Sequence, residues 1–411
     1  MKLLLALLLA IASITHAQTT NADPNLNRLA EAVNAINENQ LARAEELLNA
    51  VLTTSRNDAD ALNLLGVVRA KQDRVADAER LFRRALASLP SHVSAHINLA
   101  ELLLTHDRST EAMPILLRAH KLAPERPEIN LKLATLYAAV KQYDKAEEYL
   151  TSALALKHDD VAILRALAKV ARATGNLEKA LSHLLQARRL APDSPAVLYD
   201  FGVTTLQMGL VLDALPVFER LRGDYPREPA YLYGLAAAHW TKGEVAETTR
   251  LMNDYVALRA SDPSGWYLLG AALLRQEQTS EAQRALQRSL SLKADPDTEY
   301  LLGASFEKAG NRNEAINIFR RVIQSRPNHA AAHAALGTAY REAGRYADAR
   351  LELERAVKLD ANDLRANYQL GLVYAKLGDK EAAKKMFDRA DELRKRQHDQ
   401  ERIILKLIDE P

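Results

Sequence analysis

One spacing constrains this chain more than any other: small residues return at intervals of about 34 from residue 25 onward. In Leu62–Pro90, LNLLGVVRAKQDRVADAERLFRRALASLP, the small residues are Gly66, Ala78 and Ala85, and Leu62, Leu65 and Phe82 are large. With Ala59 as position 1, the small residues hold positions 8, 20 and 27, Phe82 holds 24 and Pro90 holds 32. Units of the same pattern start at 25, 59, 93, 127, 161, 195, 229, 263, 296, 330 and 364, the one at 263 being a residue short. Position 8 is Gly or Ala in every unit, and position 20 is Ala in all but one, where Thr248 stands.

Each unit carries two apolar stripes at i, i+3, i+4, i+7 spacing, which predicts two helices. Small residues at 8, 20 and 27 let the helix backbones approach, and large ones at 4, 7, 11 and 24 fill the space around them. Gly175, Gly209, Gly243, Gly310, Gly344 and Gly378 share position 15, where a helix ends in the left-handed conformation. Pro195, Pro229, Pro263 and Pro296 stand at position 1, and Ser194, Asp262 and Asp295 precede three of them as N-caps. One such unit cannot bury both faces, so neighbours must stack.

The pattern resembles the tetratricopeptide repeat: Leu-Gly/Ala at positions 7–8, Tyr near 11, Ala at 20, an aromatic or Leu at 24, Ala at 27 and Pro at 32. Trp266-Tyr267-Leu268-Leu269-Gly270 and Tyr340 are close matches. The resemblance covers residues 25–397 and implies an all-α, right-handed superhelical solenoid whose first helices line a groove. Residues 18–24 form a short polar lead, and 398–411 are expected to be a C-terminal capping helix, with Ile403, Ile404, Leu407 and Ile408 shielding the last repeat. Around Thr248, Tyr255 and the short unit before Pro296 the repeat breaks down, which predicts a change of pitch or a hinge.

At the other end, Met1-Lys2 precedes an almost wholly apolar run, Leu3 to Ile14, and Thr15-His16-Ala17 ends on a small residue. This reads as a signal peptide, residues 1–17, cut after Ala17, and as an exported, periplasmic or secreted protein. The run is shorter than the roughly 20 residues that span a bilayer, and nothing after it is long and apolar enough to be a transmembrane segment. The formal net charge of +2 falls to +1 on losing Lys2, so no electrostatic case exists for nucleic acid. The absence of cysteine rules out disulfides, thiol catalysis and thiolate metal sites.

Positions 2, 5, 9 and 12 of each first helix are expected in the groove, since those spacings share one face. Position 5 reads Asn63, Ile97, Leu131, Arg165, Tyr199, Tyr233, Tyr267, Tyr300, Ala334 and Tyr368 through successive units. Tyr199, Tyr233, Tyr267 and Tyr300, with Trp240 at position 12, are candidate anchors for a protein or peptide, because tyrosine combines rigid contact area with a hydroxyl. The same rings can instead pack on the next helix. Arg165, Lys169 and Arg172 make a basic strip on one helix, suited to an acidic peptide or carboxylate, or else a solvated charged face.

His92/His96 and His329/His333 have the i, i+4 spacing of some metal ligands, but no HExxH motif, Cys or carboxylate cluster accompanies them. No glycine-rich phosphate loop or nucleophile elbow occurs. No catalytic residue, cofactor or metal is therefore expected. The function read from the residues and the resemblance is a non-catalytic exported scaffold that helps assemble a cell-envelope complex. The alternative is a carbohydrate-handling subunit of polysaccharide export that uses the tyrosine-lined groove.

Overall fold

The structure, a computed structural model, describes the backbone of residues 23–409 and the side chains of residues 23–395. The expected signal peptide and the residues that follow it to 22 lie outside the described residues. The described residues hold helices and no strand, arranged as consecutive hairpins. The pairs are α1 (Pro24–Asn37) with α2 (Leu41–Thr54), α3 (Ala59–Lys71) with α4 (Val75–Ser88), α5 (Val93–Leu104) with α6 (Ser109–Leu122), and α7 (Pro127–Ala139) with α8 (Tyr143–Leu156). Next come α9 (Val161–Ala173) with α10 (Leu177–Leu190), then α11 (Pro195–Gln207) and α12 (Val211–Asp224) in sequence, then α13 (Pro229–Lys242) with α14 (Val245–Leu258), and α15 (Pro263–Arg275) with α16 (Thr279–Leu292). The last are α17 (Pro296–Lys308) with α18 (Arg312–Ser325), α19 (Ala330–Glu342) with α20 (Tyr346–Leu359), and α21 (Leu364–Leu377) with α22 (Lys380–Asp409). The first helices start at the residues the spacing predicts, apart from α1, one residue early. The chain divides into two compact units between Thr204 and Thr205, inside α11. Within each unit a helix pair packs on the next, as α3 and α4 do on α5, and α13 and α14 on α15.

The small positions do what the spacing implies. A Cβ added at Gly66 would sit 2.6 Å from the ring of Phe82, and the same distance separates Gly303 from the Phe319 ring. Position 8 therefore receives the position-24 side chain of its own unit, and Phe82 and Phe319 are fully buried there. Ala78, Ala112, Ala146, Ala180, Ala214, Ala282, Ala315 and Ala349, all at position 20, are buried without residual exposure.

The turn at position 15 is uniform where the sequence is not. The six glycines have φ between 76° and 86°. The other five turns put Asn39, Asp73, Asp107, Lys141 and Glu277 at φ near 60°. Every hairpin thus turns through a left-handed residue, and five do so against the steric preference of a side chain. Caps follow the predicted places: Asp262 Oδ1 accepts from the Ser264 amide at 2.9 Å, and Asp295 Oδ2 from the Thr298 amide at 2.8 Å. α11 opens after Ser194, whose carbonyl accepts from Leu198 N.

The irregular stretch is filled rather than loosened. Thr248 is fully buried, and its hydroxyl donates to the Glu244 carbonyl at 3.1 Å. Tyr255 brings a ring to position 27, where other units have Ala, and the next helix answers with Gly265. A Cβ there would stand 2.6 Å from that ring. The Tyr255 hydroxyl donates to the Asp262 carboxylate. Ser289, also at position 27, donates to the Pro263 carbonyl at 2.8 Å. The packing reason for a hinge is therefore absent at these positions.

At the C-terminal end, no break separates a capping helix from the last repeat. α22 runs continuously through residues 402–409, and the shielding contacts expected of Ile403, Ile404, Leu407 and Ile408 lie outside the described side chains. No helix among the described residues is long and apolar enough to cross a membrane.

Candidate functional site

In the first unit, α7, α8 and α9 enclose a cleft of about 420 Å³. Ala134, Ala138, Leu150 and Val170 give it apolar walls, and Arg165 and Lys169 stand at its edge. The three cations of α9 do not form one free strip. Arg165 Nε donates to Asp200 Oδ2 of α11 at 2.7 Å, and an Arg172 nitrogen lies 3.8 Å from Oδ1 of the same carboxylate. Asp200 is buried, so two of the three positive charges are committed to tying α9 to α11. Arg172 Nη1 is buried without a hydrogen-bond partner. Lys169 is the exposed member facing the cleft. The signal missed in the sequence was Asp200, one repeat plus one residue beyond Arg165. Tyr199 is half-buried on α11.

In the second unit the tyrosines separate into two clefts. Tyr233 and Tyr267 line one of about 370 Å³, with Lys293, Asp295 and Asp297 around it. Burial, and after it the nearby Asp297 and Asp295, pushes the Tyr267 phenol above its ordinary value. The Tyr233 ring lies 5.4 Å from that of Tyr255. Tyr300 borders a cleft of about 220 Å³ between α17, α19 and α21. Its ring packs 5.8 Å from Phe319 and 5.2 Å from His329, and burial raises its phenol. Trp240 lines none of these clefts, and one face of its ring is covered by the Arg275 guanidinium at 3.9 Å. Tyr233 and Tyr300 thus pack on rings of the second helix of their own repeat, Tyr255 and Phe319, and with Tyr267 they also line the clefts.

The histidine pairs are structural. His92 Nδ1 accepts from the Ala95 amide at 3.1 Å as an N-cap, which leaves the proton on Nε2, 3.1 Å from Asp60. His329 repeats this with the Ala332 amide and Asp297 at the same distances. His96 and His333 reach back to the Pro90 and Pro327 carbonyls. One difference separates the pairs. His333 Nδ1 lies 2.6 Å from Glu352, whereas Ile115 holds the corresponding place near His96. Burial lowers the pKa of His96; at His333 burial acts the same way, but the bonds to Glu352 and Pro327 outweigh it and the pKa is raised. Among the described residues no group of His, Cys, Asp and Glu is gathered to hold a metal ion.

No curated protein matches the chain in sequence. Among solved structures, a tetratricopeptide repeat protein from Parabacteroides merdae ATCC 43184 is 17% identical over 57% of this chain and 93% of its own, with a TM-score of 0.49. The structure reported for Pseudomonas aeruginosa pilF is 20% identical over 50% of this chain and 94% of its own, with a TM-score of 0.46. The APC/C hetero-tetramer Cut9-Hcn1 contains a chain 15% identical over 90% of this one and 94% of its own, with a TM-score of 0.45. Sequence models of the tetratricopeptide repeat match residues 29–90, 68–127, 108–170, 137–199, 199–263, 263–296, 307–366 and 364–397. With that coverage and the hairpin stack described above, the chain belongs to the tetratricopeptide-repeat family, whose stacked helix pairs serve as protein-interaction scaffolds.

Proposed function

We propose that this chain is a non-catalytic scaffold that is exported by residues 1–17 and binds protein or peptide partners on its first-helix face, helping to assemble a cell-envelope complex. One observation carries the binding part: the clefts edged by Arg165 and Lys169, by Tyr233 and Tyr267, and by Tyr300 all draw on first helices. Half-buried rigid rings at a cleft edge suit a binding anchor, because little rotamer freedom is lost when a partner covers them. The proposed export rests on Lys2 and the apolar run Leu3–Ile14. The polysaccharide alternative needs open ring faces for sugars, and Tyr233 and Tyr300 already lie against aromatic neighbours.

The test is a pull-down from envelope extract with the chain starting at Gln18, beside a variant carrying Ala at Lys169, Tyr233, Tyr267 and Tyr300. The expected result is a protein captured by the parent and lost from the folded variant. Identical protein sets on both would remove these clefts as the binding face, and enriched glycan without protein would replace the scaffold reading. Mass spectrometry of the protein purified from its host reads the export claim: a chain beginning at Gln18 is expected, and an intact Met1 end would overturn it.

A further inference from the structure

Position 5 of the first helix carries a ring in the units starting at 195, 229, 263, 296 and 364, but the unit at 330 has Ala334. The rings on either side show where the missing one would lie. Tyr300 packs against Phe319 and His329, 19 and 29 residues ahead. The same offsets from Ala334 reach Leu353 and Asp363. The space there is open: a cleft of about 220 Å³ is lined by Tyr300, Ala334, Ala335, Asp363 and Arg365.

The polar groups of this cleft are also distinctive. Glu307 is half-buried and lines it, and neither Glu307 nor Arg365 has a side-chain hydrogen bond or ion pair among the described residues. Asp363 is already used, its Oδ1 accepting from the Ala366 amide at 2.9 Å. The Glu307 carboxylate is thus an acceptor with no protein donor at the wall of the cleft, and a ligand hydroxyl entering the cleft can donate to it.

Resting on the scaffold reading above, we propose that this cleft is a binding pocket for one tyrosine side chain of a partner peptide. The ring fills the place vacated at Ala334, beside Tyr300, and the phenol O–H donates to Glu307. Arg365 at the rim compensates the carboxylate and can donate to a peptide carbonyl. Burial pushes the Glu307 carboxyl above its ordinary value, with Arg365 opposing, in accord with an acceptor that lacks a donor until the pocket is filled. Phenylalanine fits the same space but brings no hydroxyl to Glu307, so the pocket discriminates by that hydrogen bond.

The probes are acetyl-Gly-Tyr-Gly-amide and acetyl-Gly-Phe-Gly-amide, titrated against the full chain from Gln18 by saturation-transfer NMR. The tyrosine probe is expected to bind about tenfold more tightly than the phenylalanine probe, the equivalent of one hydrogen bond to a charged group. Ala334→Tyr supplies from within the ring that other units carry, and is expected to abolish binding of both probes while the melting temperature holds. Glu307→Leu serves if that variant fails to fold, and is expected to erase the preference between the probes. Equal binding of the two probes to the parent chain, or undiminished tyrosine binding by folded Ala334→Tyr, would overturn the pocket. In that case the envelope pull-down still decides the scaffold reading, since Ala334→Tyr leaves Lys169, Tyr233 and Tyr267 untouched.

Discussion

Lys141 and Glu277 show what a single residue contributes to a repeat. Both stand at φ near 60°, a conformation that costs an L-residue with a Cβ roughly 1–2 kcal/mol. Gly at either place should stabilise the chain by about 1 kcal/mol once its greater freedom in the unfolded state is subtracted. A rise in the urea midpoint of Lys141→Gly checks this, and a fall would show that the side chain makes a compensating contact. The same two residues mark a limit of sequence reading. Glycine announced six turns, but Lys and Glu carry no turn signal, so only the period implied that the backbone bends there.

Protonation at the paired histidines is another residue-scale effect with opposite signs. The raised pKa of His333 means that its bond to Glu352 adds stability below pH 6.5, which is lost as pH rises through the raised value. The lowered pKa of His96 gives stability above pH 6.5, which is lost as pH falls through the lowered value. Comparing each Gln variant with the parent by melting temperature should show His333→Gln more harmful at pH 6 than at pH 8.5, and His96→Gln the reverse. Parallel curves for parent and variants would remove the assignment. The i, i+4 spacing is shared with some metal ligands, and the backbone carbonyls and amides that these rings bond to leave no trace in a residue pattern.

At the scale of elements, the join of α14 to α15 is the informative one. Tyr255→Ala should cost about 3 kcal/mol by opening a cavity against Gly265. Gly265→Ala should cost about 1–3 kcal/mol, because its Cβ would stand 2.6 Å from the Tyr255 ring. Together they should cost less than their sum, since the added methyl then meets empty space and the helix gains a residue of better propensity. A double-mutant cycle by calorimetry measures this coupling, and strict additivity would refute the contact. Read in sequence, Thr248 and Tyr255 looked like damage to the repeat. Their compensation was not legible because Gly265 falls outside the positions that the period marks as small. The helix boundaries were legible, since ten first helices begin where the small-residue spacing puts them. The clefts were half legible: the position-5 register named Arg165 and the tyrosines, but Asp200, which neutralises much of the basic strip, lies on another helix.

For the whole molecule, stacked repeats make stability a sum of unit and neighbour terms, so a hairpin with one neighbour is less protected than one with two. Among the described residues the hairpin of α1 and α2 packs on α3 and follows no other hairpin, whereas that of α5 and α6 has a neighbour on each side. Amide exchange of Ala44 and Leu48 should therefore run faster than that of Ala112 and Leu116, though all four are fully buried. Equal protection would mean that the first unit opens only as a whole.

The exchange of a ring for a glycine between Tyr255 and Gly265 also bears on how such an array can change. Units of common length invite duplication or loss by recombination between look-alike segments. A copy of the unit at 59 placed before α15 would set Ala85 where Tyr255 stands, leaving a hole against Gly265. A copy of the unit at 229 placed before an ordinary repeat would drive a tyrosine into a space shaped for alanine. This junction therefore holds two particular units in a fixed order, so the second unit cannot be lengthened or shortened there one repeat at a time without both sides of the seam changing together.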